Sequence, residues 1–253
     1  MKATVLISLI VAMFIVSITA NAALSIKDKA LLLFLPCDEI KGGVVSDLSQ
    51  NANNGTVVGT VNLVEGKILK ALEFKESGEV KCPYIALNNK SFTICMWVKP
   101  KLAGGAEQCV FSQTDVNATN TSMHYRIYTN GTIRMGFYGN DLDLPGGAKA
   151  DEWMHIAYYL DVPGKARRIY VNGVQAAQDA GLVGISYLGT KGDTMIGSWG
   201  ATGQKFNGVI DEVQIWDRAL TAAEIKDSMG DLKKSASVNP AVALATTWGN
   251  IKY

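Results

Sequence analysis

Along most of the chain apolar and polar side chains alternate one by one. That is the period of a strand with one buried face, not the 3.6-residue period of an amphipathic helix. In Ser91–Lys99, Phe92, Ile94, Met96 and Val98 share one face and Trp97 stands on the other. Ala30–Pro36, Leu69–Lys75, Cys109–Gln113, Met123–Tyr128, Thr132–Tyr138, Met154–Leu160, Arg167–Val171, Thr194–Ile196 and Gly208–Trp216 read the same way. Each is short, rich in β-branched or aromatic residues, and bounded by Gly, Asn, Asp or Pro. Asn130-Gly131 and Asn172-Gly173 are hairpin-turn dipeptides, and Val162–Gly164 marks a further turn. So many short strands predict an all-β fold, an antiparallel sandwich or barrel.

One helix stands out. Thr221-Ala222-Ala223-Glu224 is a capping box, in which the Thr hydroxyl accepts from the Glu224 amide and the Glu carboxylate reaches back. The helix is expected to run to about Met229 and stop at Gly230. Asp231–Val238 is polar and rich in Lys and Ser, and Asn239-Pro240 follows, so 231–253 is expected to be a C-terminal tail.

The other end reads as an address. Lys2 precedes an apolar run from Val5 to Ile18, and Thr19-Ala20-Asn21-Ala22 offers small residues for cleavage after Ala22. This is the order of a secretory signal peptide over residues 1–22. The run is too short for a spanning helix, which needs about 20 apolar residues. No Cys follows it, which argues against a lipid anchor. The mature chain is therefore expected to be secreted, to the medium or to a periplasm or cell envelope, with no membrane span left after cleavage.

Composition and charge narrow the classes further. At 48% apolar and 19% charged the 253 residues are globular, and 25 Gly against 6 Pro suits many turns. Lys and Arg number 24 against 23 Asp and Glu, and Lys2 is the one charged side chain in residues 1–22, so the mature chain is balanced. A neutral domain has no global pull on nucleic acid, which is not an expected partner. In an exported chain Cys37, Cys82, Cys95 and Cys109 permit two disulfides in any of about three pairings. The spacing of the cysteines with His124 and His155 makes no zinc pattern.

Taken in order, these segments resemble the LamG-like (laminin G type 3) branch of the concanavalin A-like lectin/glucanase superfamily. Leu32–Glu39 stands where that family has an opening strand ending in an acidic pair. Val45–Ser49 with Asn53–Thr56 resembles the D-x-S…N-x-G loop, and Phe92–Pro100 resembles F-T-I-x-x-W-V-K-P. Glu152–Ala157 resembles W-x-H-V-A, Arg168–Gly173 the Y-V-N-G hairpin, and Phe206–Trp216 with Ala219–Ile225 the closing strand and helix. The resemblance implies an antiparallel jelly-roll β-sandwich over residues 27–230 with one short C-terminal capping helix. It also implies a structural calcium where the first and last strands meet. Calcium takes about six to eight oxygens at flexible spacing, so Asp38, Asp47 and Asp211, with carbonyls around Asp47–Gly55, are the candidate ligands.

Trp97, Trp153 and Trp216 lie in strand patterns and are expected in the core, as is His155. Trp199 instead lies in the Gly-rich segment Gly197–Gln204, which can present an aromatic face for a sugar to stack on. Tyr187, Tyr138, Asn140 and Asp141 sit in other candidate loops. A glucanase of this superfamily would carry E-x-D-x-x-E on one strand, with carboxylates flanking a glycosidic bond. Here Asp211 and Glu212 are adjacent and alternate to opposite faces, and Asp141 and Asp143 have no third acid. No nucleophile elbow or P-loop is present. The expectation is a secreted, non-catalytic recognition module for a glycan. The alternative is a structural or adhesion protein acting through contact with a cell-surface or extracellular protein.

Overall fold

The computed structural model describes residues 23–104, 107–180, 186–200 and 203–235. The expected signal peptide and the chain beyond residue 235, Trp248 included, lie outside the described residues. In chain order the strands are β1 (Leu31–Leu35), β2 (Val44–Val45), β3 (Gly55–Glu65), β4 (Lys70–Cys82), β5 (Phe92–Pro100), β6 (Glu107–Thr114) and β7 (Ser122–Tyr128). There follow β8 (Ile133–Gly136), β9 (Asp141–Leu144), β10 (Met154–Asp161), β11 (Ala166–Val171), β12 (Val174–Ala180), β13 (Thr194–Ile196) and β14 (Asn207–Trp216). The helices are α1 (Ala222–Asp227) and α2 (Leu232–Ser235).

All pairings are antiparallel, in the order β12-β11-β10-β5-β14-β4-β13-β6-β7-β8-β9, with β1 beside β14 and β3 beside β4. The long strand β4 joins two layers. Its first half pairs with β14, from Leu72 opposite Ile210, and its last residues pair with β13, from Val80 opposite Ile196. The result is a sandwich-like jelly roll, one of the two architectures that the strand pattern predicts and the one that the resemblance implies. Phe92, Ile94, Met96 and Val98 face the core between the layers, as their alternation requires, with Phe74, Phe111, Tyr125, Ile133, Ile156 and Ile215.

The back layer, β12-β11-β10-β5-β14 with β1, is buried on both sides. Its outer face carries Phe34, Cys95, Ala157, Tyr159 and Trp216, covered by Leu220 and Ile225 from the helical segment. Thr221 and Glu224 form the capping box as expected, and Arg218 grips both Glu224 oxygens at 2.8 and 2.9 Å. The C-terminal end of α1 is pinned by donors from the sheet: Trp97 Nε1 to the Met229 carbonyl (3.1 Å) and the Gln214 amide to the Ser228 carbonyl (3.1 Å). His155 is fully buried beside Trp97 and 3.4 Å from the Ser228 hydroxyl, in the structural setting expected of it. Trp97 and Trp216 are buried, whereas Trp153 is half-buried and precedes β10.

Two expectations need correction. The four cysteines are all free and buried. Cys37 and Cys82 belong to the core between the layers, but Cys95 lies on the helix-covered outer face of the back layer. The face alternation of β5 separates them. The stretch expected to be tail from residue 231 begins instead with α2, whose Leu232 is buried in the cluster that contains Leu24 and Ile225.

Candidate functional site

The front layer is where the chemistry gathers. In β7, Met123, Tyr125 and Ile127 point into the core, so His124 and Arg126 point outward. Register places His124 between Ser112 of β6 and Gly136 of β8, and Arg126 between Cys109 and Arg134. Arg134 in turn stands opposite Asp143 of β9, and Gly136 opposite Asp141. The outer face therefore carries two neighbouring guanidinium groups and a row of carboxylates. Arg134 donates to both Asp143 oxygens at 2.7 Å and reaches Asp141 at 2.9 Å, and Arg126 pairs with Glu107 at 3.0 Å. Gly136 makes room for His124, since a Cβ there would meet the imidazole at 2.2 Å.

The segment after β13 folds across this face. Ser198 bridges to Lys205, the Gln204 amide donates to Glu107 (2.6 Å), and Trp199 lies 4.5 Å above the Arg126 guanidinium and 4.9 Å from the His124 ring. Such cation–π stacking fixes the indole. Its N–H donates to the Thr114 hydroxyl at 2.8 Å. Tyr138 completes the group, with its ring 6.4 Å from Trp199. Its backbone, at φ 58°, turns the amide N–H onto His124 Nε2 at 2.9 Å. The imidazole is thus an acceptor at Nε2, which leaves its proton on Nδ1. Burial, with Arg126 and Arg134 nearby, pulls its pKa down to about 3, so it is neutral. Several polar atoms on this face have no hydrogen-bond partner: His124 Nδ1, Arg126 Nε, Asp141 Oδ1, Ser198 Oγ and Gln204 Oε1.

Of the ligand candidates, Trp199, Tyr138 and Asp141 come together here. Trp199 is only 7% exposed, so the expected open stacking platform is instead a wall packed onto Arg126 and His124. Asn140 lies at the margin, where its carbonyl and side-chain oxygen accept from Arg167 and its amide donates to Asn120. Tyr187 does not join them. It is fully buried against Phe137, and its hydroxyl donates to the Gln113 carbonyl, so it belongs to the core. Arg126 and Arg134 went unnoticed in the sequence, and His124 was weighed there only as a zinc ligand. The signal was the polar alternation of Ser122–Tyr128, but only the register of β7, β8 and β9 makes it a site.

A second cluster forms at the junction of β1 and β14. Between Asp211 and Gln214 the pairing with β5 slips by a residue, and Glu212 takes a positive φ of 53°. This bulge breaks the alternation expected of Asp211 and Glu212, and both side chains are fully buried. Asp211 Oδ2 accepts from the Ile68 amide (2.9 Å) in the turn between β3 and β4. The Lys70 amide of the same turn donates to Asp38 (3.1 Å). Asp211 Oδ1 and both Glu212 oxygens have no partner. Burial raises the Asp211 carboxyl to about 7, against the pull of nearby amides. Burial, and then Asp211 itself, raises Glu212 to about 9. Lys233 of α2 closes the cluster with an ion pair to Asp38.

Asp47 has another task. Its oxygens accept from the amides of Phe34, Ser49 and Asn53 and from the Ser49 hydroxyl, each at 2.8 Å. A carboxylate has about four lone-pair sites. Asp47 is therefore filled, and staples the 46–54 loop to β1. No group of three or more His, Cys, Asp or Glu side chains among the described residues converges as a ready-made metal cage.

Comparison with known proteins matches residues 74–226 to the concanavalin A-like lectin/glucanases superfamily. Over 145 residues the chain is 28% identical to the neuronal pentraxin receptor of Rattus norvegicus, which covers 53% of this chain and 28% of that protein. The chain thus spans about a third or less of the curated relatives it matches. Among solved structures, domain 4 of AbnA, an extracellular GH43 arabinanase from Geobacillus stearothermophilus, in complex with arabinotriose, has a TM-score of 0.63 at 21% identity. It covers 79% of this chain and 98% of that one. The botulinum neurotoxin DC binding domain in complex with SialylT has a TM-score of 0.58 at 14% identity, over 81% and 52% of the two chains. These structural likenesses bear on the fold. No described helix is long and apolar enough to cross a membrane.

Proposed function

The chain belongs to the concanavalin A-like lectin/glucanases superfamily, and on that premise we propose that it is a secreted, non-catalytic module that recognises a neutral glycan on its front face. The observation that carries this reading is the group of half-buried side chains around Trp199, namely Tyr138, Asp141 and Gln204, set over buried donors and acceptors that lack partners: His124 Nδ1, Arg126 Nε, Asp141 Oδ1 and Gln204 Oε1. A sugar offers hydroxyls that donate and accept at once, and an apolar C–H face for an aromatic ring. The guanidinium charges are already met by Glu107, Asp141 and Asp143, which favours an uncharged ligand over an acidic one. A matched structural relative was solved with arabinotriose. The non-catalytic reading rests on the state of the acids. Asp143 and Asp141 are held by Arg134, and Asp211 and Glu212 are buried, so neither of these two acid pairs stands free to flank a glycosidic bond.

The test is a glycan and polysaccharide screen of the chain from Ala23, with arabinotriose included, followed by calorimetry. Tyr138→Ala and Asp141→Asn are expected to weaken binding about tenfold each, roughly one good hydrogen bond or stacking contact. Absence of any glycan binding by folded protein overturns the reading. A protein partner is the second reading. The edge strand β3 favours it, pairing with β4 along its length and with β2 only at Gly55 and Thr56, and exposing Val58 and Leu63.

The structural calcium that the resemblance implies does not fit the residues present: Asp47 is filled by amides of its own loop and of β1, and no group of three or more His, Cys, Asp or Glu among the described residues could hold a metal ion. Burial raises Glu212 to about 9, so a proton rather than a cation neutralises its buried carboxyl.

A further inference from the structure

Among the described residues the first buried side chain is Leu24, two positions past the expected cleavage after Ala22. Leu24 packs with Ile225 of α1 and Leu232 of α2, and Ile26 lies against the same cluster. Ala23 is exposed beside them. Ala23 and Leu24, with Asp227, Gly230, Asp231 and Leu232, line one cavity of about 220 Å³. The far wall of that cavity is negative. Asp227 is the last residue of α1, where the carbonyl end of a helix favours a cation. Asp231 accepts from the Lys233 amide at 3.0 Å and meets the ammonium of Lys234, a largely exposed side chain, at 3.5 Å. The other charged groups nearby are turned elsewhere. Lys233 pairs with Asp38, Asp28 with Arg218, and Lys226 lies against Gly173 in the turn between β11 and β12.

We propose that cleavage after Ala22 is also a structural step: the α-ammonium it frees on Ala23 seats in this cavity against Asp227 and Asp231, and ties the N-terminus to the helical cover of the back layer. The proposal rests on the secreted reading and not on the glycan one. Hydrolysis of the Ala22–Ala23 peptide bond by a signal peptidase takes up one water. It leaves a carboxylate on Ala22 and an ammonium on Ala23. Before that step the Ala23 nitrogen is a neutral amide and offers the two acids no charge. Afterwards a cation stands where two carboxylates and a helix end are gathered. An α-amino group titrates at about 7.7 to 8.0 when unperturbed. Neighbouring carboxylates favour its charged form and raise that value. A raised folded value gives stability that is fully present below the unfolded value and is lost as pH rises through the folded one. The seat therefore holds at neutral pH and releases in alkali.

The experiment begins with the full chain expressed in a secreting host, where the mass of the exported protein is expected to give Ala23 as the first residue. In that protein the α-amine is titrated by the pH dependence of its acylation, read from the mass of the N-terminal peptide. Its pKa is expected about half a unit higher than in the folded double variant Asp227→Asn, Asp231→Asn, roughly threefold in proton affinity. A second comparison places Gly-Ser ahead of Ala23, which moves the ammonium off the cavity. The protein starting at Ala23 is expected to have the higher urea midpoint at about pH 7, and the advantage is expected to vanish by about pH 10. An exported chain that begins elsewhere overturns the cleavage site and the seat with it. An α-amine that titrates alike in wild type and double variant, or a midpoint difference that pH does not change, overturns the seat and leaves the cleavage standing.

Discussion

The front face and the β1–β14 junction both bury charge, in opposite ways. On the front face every charge has its opposite on the neighbouring strand: Arg134 with Asp141 and Asp143, Arg126 with Glu107. At the junction three acidic side chains lie near a single ammonium, because a bulge and a turn bring them in from distant segments. Ladder pairing lets a sheet cancel its charges, since residues on facing strands are chosen in register. A junction of loops and bulges has no such register. Its charge is left for a proton, an ion or a tail residue to meet. The first arrangement suits a surface that discriminates by hydrogen bonds. The second suits a structural site that responds to its medium.

Acid should break this contrast with the largest effect. Burial holds both His124 and His155 at a pKa of about 3 in the folded protein, against about 6.5 unfolded. Their folded values are depressed, so the unfolded chain binds more protons below pH 6.5. Stability is fully present above that value and falls as pH drops towards 3. At pH 4.5 each histidine is expected to remove about 2 to 3 kcal/mol, read as urea midpoints at pH 7 and 4.5. Asp211 and Glu212, raised to about 7 and 9, recover stability over the same fall in pH, so the histidine contribution is read as the difference between wild type and His124→Gln. His124→Gln should lose less stability than wild type between the two pH values, and an identical change in both removes the argument for a buried neutral imidazole at His124.

Two glycines compare the regions directly. At Gly66 a Cβ would sit 2.5 Å from the Lys70 carbonyl and 2.8 Å from Asp211, so backbone must move. At Gly136 it would meet the His124 ring at 2.2 Å, and a side chain can yield. Overpacking costs about 1 to 3 kcal/mol. Gly66→Ala is expected near the upper end and Gly136→Ala near the lower, by thermal or urea unfolding, with Gly136→Ala the one that disturbs glycan binding. The smallest effect is Tyr138→Phe. It keeps the ring, and should leave stability unchanged while lowering glycan affinity by at most about threefold, a lost peripheral hydrogen bond.

Much of the fold was legible because a half-buried strand writes its period into the chain. β5, β7, β10 and β14 alternate with large apolar residues, and Thr221 to Glu224 carries its capping chemistry in four positions. β3, β9 and β12 were not legible as strands. β9 is only four residues, Asp-Leu-Asp-Leu, β12 mixes Ala, Gln and Asp, and β3 exposes much of its length, so their apolar faces are short or interrupted. The site was harder to read. Trp199, Tyr138 and Asp141 were marked by residue type and loop setting, and the fold brings them together. Tyr187 had the same marks and is core, because exposure depends on what the chain lays over a residue.

Local pattern alone determined the all-β class, the hairpin turns and the helix cap, since each depends on interactions within a few residues. Tertiary structure decided that His124 meets Trp199 from 75 residues away, that Asp47 is a loop staple, and that Glu212 is turned inward by a bulge. Those outcomes depend on strand register and on long-range burial. One residue of slip reverses which face a side chain takes, and nothing in the neighbouring sequence records it.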